Sequence, residues 1–195
     1  MTALTHVLRT ESPEQTRALG AQIGRLATPG LVIALSGDLG AGKTTFTQGL
    51  ARGLGITTPV TSPTFTLVAE YDARAGMRLI HMDSYRLGDL PADAALEAET
   101  FGFEDLLDDP AAVLVIEWAE RLAALLPPET LYITLTRPDD GDGDPDARTI
   151  RLTAAAAPRT SWPHWPVSLL DPIQGRVKSS GKNQRPSPGV VATAR

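Results

Sequence analysis

The run Gly37-Asp38-Leu39-Gly40-Ala41-Gly42-Lys43-Thr44 fits the spacing G-x-x-x-x-G-K-[ST]. Glycines at 37, 40 and 42 open backbone angles that other residues avoid. Successive N–H groups can then converge on phosphate oxygens, and the start of a following helix adds its partial positive charge. Lys43 offers a compact ammonium to the β and γ phosphates of a nucleotide, and Thr44 offers a hydroxyl to Mg2+. Only three of the 18 basic residues are lysines: Lys43, Lys178 and Lys182. Arginine supplies charge elsewhere, but its planar fork does not replace the point charge such a loop needs. The alternative, a glycine-rich strand–helix turn that holds nothing, leaves that one lysine unexplained.

A phosphate loop that works with Mg2+ needs a carboxylate within reach. Two apolar runs end in one. Val113-Leu114-Val115-Ile116-Glu117 has a Walker-B shape with Glu in place of Asp, and Leu79-Ile80-His81-Met82-Asp83 ends likewise. Ligands of open α/β sheets gather at the C-terminal ends of strands, so both acids are candidates for the metal or for catalysis. Each could instead be a solvated residue where a strand stops. GTP is set aside, because a guanine-reading N-K-x-D segment needs an asparagine and the only one is Asn183, near the end of the chain. ATP is the expected nucleotide by elimination.

The elements that must position these residues follow from periodicity. Thr5–Arg9 reads as a short strand. Ser12-Pro13-Glu14-Gln15 reads as a helix start with a capping box. Leu19, Ile23 and Leu26 form an apolar stripe, ended by Thr28-Pro29-Gly30. Leu31–Leu35 is a buried strand leading into the phosphate loop, and Thr44–Leu54 is the helix leading out. Phe65–Tyr71 and Met77–Met82 flank a turn and read as a hairpin. Val113–Ile116 is a second buried strand, followed by a short helix over Trp118–Leu126. Leu131–Thr136 and Arg148–Thr153 are strands around an acidic loop. The order predicts an α/β fold, a P-loop NTPase-like mixed sheet flanked by helices.

Charge divides the chain. Residues 1–154 hold 12 basic and 22 acidic side chains, net −10; residues 155–195 hold 6 and 1, net +5; together they give −5. The expected organisation is a P-loop ATPase domain over 1–153 and a basic, Pro/Ser/Gly-rich extension over 154–195, expected to be disordered. Trp162 and Trp165 could anchor a short docked segment of it. No cysteine occurs, which excludes disulfides, thiolate metal sites and a thiol nucleophile. No apolar run is long enough for a membrane span and the N-terminal residues lack a signal-peptide profile, so a cytoplasmic location without membrane contact is expected.

The motifs together resemble one family. Gly37-Asp38-Leu39-Gly40-Ala41-Gly42-Lys43-Thr44-Thr45 is similar to the phosphate loop of the bacterial tRNA threonylcarbamoyladenosine biosynthesis ATPase subunit family TsaE, also called YjeE. Ser62-Pro63-Thr64-Phe65 with Leu67, the run from His81 to Leu87, Gly102-Phe103-Glu104-Asp105, and Ile116-Glu117-Trp118-Ala119-Glu120 resemble its further segments in order. Ala119 stands where the family usually has proline. The resemblance covers roughly residues 5–153. It implies a weak ATPase using ATP and Mg2+, dependent on the partners TsaB and TsaD, TsaD being the transferase. The ATP cycle would sustain threonylcarbamoylation of the adenosine next to the anticodon in tRNAs reading ANN codons. The implied site comprises residues 37–45, Thr64 and Trp118 for the nucleotide. Thr44, Glu117 and Asp83 would hold the metal; Lys43, Asp83 and Glu117 would do the catalysis. An acidic domain repels tRNA phosphates, so tRNA would be met only through the partners.

Other residues keep two readings. Thr64 is a nucleotide-sensing switch residue or part of a turn. Tyr85 and Arg86 are catalytic or pair with acids at 97, 99, 104 and 105. Trp118 covers the nucleotide, anchors a partner or packs in the core. Leu96–Asp105 faces a partner, forms a lid over the site, or is a solvated helix end with Phe101 and Phe103 tucked into the core. His81 is expected to be packed. Asp139–Asp146 fails the calcium-loop pattern, because Pro145 and Arg151 stand where glycine and glutamate are required. Two rival functions are a small-molecule P-loop kinase and a docking subunit that binds nucleotide without hydrolysing it.

Overall fold

Seven strands form one sheet: β1 (Leu4–Thr10), β2 (Val32–Ser36), β3 (Val68–Asp72), β4 (Arg78–Asp83), β5 (Ala112–Glu117), β6 (Leu131–Thr136) and β7 (Arg148–Ala154). The computed structural model describes residues 4–88, 91–138 and 144–154. The expectations for the extension, including Trp162 and Trp165, and for most of the acidic run starting at Asp139 lie outside the described residues. The strand order is β1-β7-β6-β2-β5-β4-β3. The centre, β6-β2-β5-β4, is parallel, while β3, β7 and β1 join antiparallel. The sheet is therefore mixed and flanked by helices, as the alternation of elements predicts.

Two cores follow from the strand alternation. Odd positions of β2, β4 and β5, such as Ile33, Leu35, Leu79, Val113 and Val115, face α1 (Pro13–Leu26) and α2 (Lys43–Gly53). Even positions, such as Val32, Ala34, Ile80, Met82, Leu114 and Ile116, face the other layer. That layer is α3 (Pro91–Thr100), α4 (Phe103–Asp108) and a 3₁₀ segment over Ala119–Leu125. The same alternation puts His81, Asp83 and Glu117 on the α1–α2 face, towards the start of α2.

Helix α1 begins as predicted, with the Ser12 hydroxyl accepting from the Gln15 amide at 3.3 Å. The Gln15 side chain reaches back one residue further than a capping box requires, accepting from the Glu11 amide at 2.8 Å. The two helices touch through glycines. A Cβ on Gly24 would lie 2.2 Å from the Leu50 carbonyl oxygen, and one on Gly49 2.1 Å from that of Arg17. Arg74 sits across the ends of both helices. Its guanidinium donates to the carbonyls of Gly24 at 3.1 Å, Gly53 at 2.5 Å and Arg25 at 2.7 Å. These are carbonyls left over where helices end.

Two local expectations differ from the structure, and a third segment takes one of its expected forms. The strand expected from Phe65 starts at Val68, because Pro63–Thr66 closes a turn (Thr66 N–H to Pro63 O, 3.1 Å) and Leu67 takes a φ of 64°. Phe65 is left 86% exposed. The segment after Trp118 is a 3₁₀ helix, a form suited to a short connector, and Trp118 enters it at a φ of 60°. Leu96–Asp105 spans two helices broken at Gly102, whose φ is 79°. Ala94, Ala98 and Phe103 are buried beneath them, while Leu96 is exposed.

Candidate functional site

The phosphate loop links β2 to α2, at the C-terminal edge of the parallel strands. Gly37, Gly40 and Gly42 have φ values of 134°, 75° and 103°, so each takes a conformation that favours glycine. At Gly37 space also forbids a side chain: a Cβ would lie 2.1 Å from the Leu135 carbonyl oxygen. Arg148, at the start of β7, fixes the loop from outside. Its Nε donates to the Ala41 carbonyl at 2.9 Å and its Nη2 to the Gly40 carbonyl at 3.1 Å. A further bond inside the loop, from the Ala41 amide to the Asp38 carbonyl at 3.0 Å, holds the same turn. Arg148→Met is expected to raise the dissociation constant for ATP about fivefold, as two charge-assisted bonds to the loop are lost; titration with a fluorescent nucleotide measures it.

A cavity of about 370 Å3 opens over the loop. Leu39, Gly40, Gly42, Lys43, Thr44 and Thr45 line it from the loop side, and Thr64, Asp83, Glu117 and Trp118 from the other. Gly37, Asp38 and Ala41, also assigned to the loop from sequence, do not line it. Gly37 and Asp38 turn their carbonyls to Lys43, and the Ala41 side chain is buried. Ser62 and Tyr85 line the cavity too, neither of them in the implied set.

Lys43 is buried at the centre. Its ammonium donates to the Gly37 carbonyl at 2.6 Å and the Asp38 carbonyl at 3.0 Å. It lies 3.6 Å from the centroid of the Trp118 ring, a cation–π contact. Desolvation lowers its pKa, and the nearby carboxylates of Glu117, Glu120, Asp83 and Asp38 oppose that shift. Trp118 is thus not a core residue: it covers the ammonium and packs on Tyr85, the ring centroids 4.9 Å apart. Arg121 holds the segment after β4 by donating to the carbonyls of Leu87 at 2.6 Å and Gly88 at 2.8 Å.

The two acids have different partners. Glu117 ends β5, beside Leu35 of β2 and Asp83 of β4. Its Oε2 accepts from the Thr44 hydroxyl at 3.0 Å, and its Oε1 meets His81 Nε2 at 2.9 Å. Asp83 instead anchors the loop before β3. Its Oδ2 accepts from Ser62 at 2.5 Å and Thr64 at 2.7 Å, and its Oδ1 from the Tyr85 amide at 3.0 Å. Arg86 turns away to lie 5.1 Å from the Phe65 ring centroid.

The donors suit the groups the motifs imply. Thr44, Glu117 and Asp83 present hard oxygens, and Mg2+ is held by one or two carboxylates with phosphate and water completing its shell. Among the described residues, no group of three or more His, Cys, Asp or Glu could hold a metal ion without such help. The loop glycines take the positive φ values that a phosphate-cradling backbone uses. Sequence reasoning missed three contributors. Ser62 opens the Ser62-Pro63-Thr64-Phe65 segment, where its residue type alone points to a turn. His81 carried the signal of lying two residues before Asp83, hence on the same strand face. Arg148 left no signal, because its contact spans 107 residues of sequence.

Comparison with known proteins shows what the chain resembles. The family model described as threonylcarbamoyl adenosine biosynthesis protein TsaE matches residues 10–148. A tRNA threonylcarbamoyladenosine biosynthesis protein TsaE of Bacillus subtilis is 44% identical over 146 residues, which cover 75% of this chain and 84% of that protein. Its namesake in Treponema pallidum is 44% identical over 133 residues, covering 67% and 91%. A crystal structure of Bacillus subtilis YdiB matches with a TM-score of 0.63 at 37% identity, over 79% of this chain and 88% of that one. No helix among the described residues is long and apolar enough to cross a membrane.

Proposed function

Because the chain belongs to the threonylcarbamoyl adenosine biosynthesis protein TsaE family, we propose that it is the partner-dependent ATPase of tRNA threonylcarbamoyladenosine biosynthesis. The role in that biosynthesis comes with the family. The observation that carries the ATPase reading is the convergence of Lys43, Thr44 and Glu117 over the glycine loop, with the Thr44 hydroxyl 3.0 Å from Glu117.

In this reading the loop amides and Lys43 bind the triphosphate of ATP. Thr44 and Glu117 would hold Mg2+, which when bound would supply charge neutralisation for the phosphates. Asp83 orients the attacking water or helps hold the metal, and Ser62 and Thr64 tie the preceding loop to it. That tie gives the loop a way to respond to the γ-phosphate. Trp118 leaves Lys43 as phosphate arrives and covers the nucleotide. The partners are TsaB and TsaD, and tRNA is met through them, in keeping with the net charge of −10 over residues 1–154. The compartment is the cytoplasm, where tRNA modification takes place.

The test is ATP turnover by the purified full chain, with and without TsaB and TsaD. Phosphate is expected to appear in water and faster with the partners present. Glu117→Ala is expected to cut turnover about 100-fold or more, as loss of a group acting in the transition state does, while nucleotide binding in EDTA persists. Equal turnover by the Glu117→Ala variant, or phosphate delivered to a small acceptor, would overturn the reading.

A further inference from the structure

His81 is the most deeply buried titratable side chain near the site, with no exposed surface. It comes from the penultimate position but one of β4 and faces the α1–α2 layer. Its ring makes one hydrogen bond: Nε2 to Glu117 Oε1 at 2.9 Å. Nδ1 is buried without a partner. That asymmetry assigns the tautomer. A proton on Nδ1 would be a buried donor with nothing to donate to, which costs more than an unused lone pair. The ring therefore carries a proton on Nε2 and donates it to Glu117.

The consequence is for the carboxylate. Glu117 is held at the backbone, where its carbonyl accepts from the Ser84 amide at 3.1 Å and the Ser84 hydroxyl at 2.9 Å. His81 then fixes Oε1. Rotation of the carboxylate is blocked, and Oε2 is left facing the Thr44 hydroxyl at 3.0 Å. A glutamate has rotamer freedom to lose on being fixed, so a rigid buried donor lowers the cost of presenting Oε2. This is the geometry by which outer partners orient a ligating carboxylate.

We propose that His81 is a positioning residue that locks the Glu117 carboxylate so that Oε2 points at Thr44 and the phosphate loop. It rests on the reading of Glu117 as a metal-holding carboxylate. His81 itself touches neither metal nor nucleotide.

The test measures Mn2+ binding by electron paramagnetic resonance in the full chain, with a non-hydrolysable ATP analogue, alongside analogue affinity in EDTA. His81→Met is close in volume and removes the donor. His81→Gln places an amide N–H near the position of Nε2. Expected are an Mn2+ affinity about tenfold weaker in His81→Met, recovery of most of it in His81→Gln, and unchanged analogue affinity in EDTA for both. Should His81→Met fail to fold, His81→Asn replaces it, since its amide is too short to reach Glu117; the same tenfold loss is expected. Native Mn2+ affinity in the donor-less variant, with a weakened Glu117→Gln, would overturn the role of His81 and leave that of Glu117 standing. Native Mn2+ affinity in Glu117→Gln would overturn the reading of Glu117 instead.

Discussion

Lys43→Ala is expected to weaken ATP binding between tenfold and about 150-fold, and turnover falls with it. The range is that of a charge-assisted hydrogen bond, roughly 1.5–3 kcal/mol, converted to affinity. The upper part is favoured by the surroundings. Asp38, Asp83, Glu117 and Glu120 all act on this ammonium. Remove it, and a polyphosphate approaches those carboxylates without the ammonium buried among them. At about 4 Å and an effective dielectric of 20, each unit-charge pair is worth roughly 4 kcal/mol before solvent and counterions reduce it. Lys43→Arg is not expected to rescue. The space between the Gly37 carbonyl, the Asp38 carbonyl and the Trp118 ring is filled by one nitrogen, and a planar guanidinium needs more room. Isothermal titration calorimetry of both variants checks this, and affinity within threefold of native for Lys43→Ala would remove the lysine from phosphate binding.

The reason this site could be read so far from sequence is that its parts are local. A strand, a glycine loop and a helix start are contiguous, and each carries its own signal. The two acids were legible for a related reason. Each ends an apolar run, and in a parallel sheet the run ends lie at one edge; the register places Asp83 beside Glu117. What could not be read is pairwise geometry across the chain. Nothing in the sequence says that Glu117 pairs with His81 and Asp83 with Ser62 and Thr64, because both acids end strands of the same kind. Nor does it show that Arg148 braces the loop, since it looks like any charged residue at the start of a strand. Trp118 was ambiguous because a tryptophan beside a buried strand is normally core; its φ of 60° is what turns it over Lys43. The strand expected at Phe65 failed for a local reason: the turn after Pro63 outweighs the strand propensity of the residues that follow it.

Gly49→Ala is expected to destabilise the fold, although helix propensity alone predicts the reverse. Gly49 lies inside α2, where alanine gains about 1 kcal/mol over glycine. Against this, the new Cβ would lie 2.1 Å from the Arg17 carbonyl oxygen, with the Arg17 carbonyl carbon 2.7 Å away. Both are backbone of α1, so no side chain can swing aside; the helices must separate. Gly20, Gly24 and Gly53 hold the same contact, with backbone oxygens at 2.3, 2.2 and 2.3 Å from their ideal Cβ positions, so the whole interface moves. Overpacking costs about 1–3 kcal/mol, occasionally more, and a clash of backbone with backbone falls at the upper end. The net is a loss of roughly 2 kcal/mol and a fall in melting temperature of about 4–8 °C. The effect reaches the site, because Lys43 and Thr44 open α2 and a shift of that helix moves them against Glu117. Nucleotide affinity should fall in the folded variant, measured well below its melting temperature. Alanine at Gly30 is the instructive contrast. That glycine has a φ of 83° with nothing within 4 Å of its ideal Cβ, so strain there is purely conformational. It should cost stability without changing nucleotide affinity. If Gly49→Ala melts at or above the native temperature, α1 and α2 are not held at the distance that places the phosphate loop.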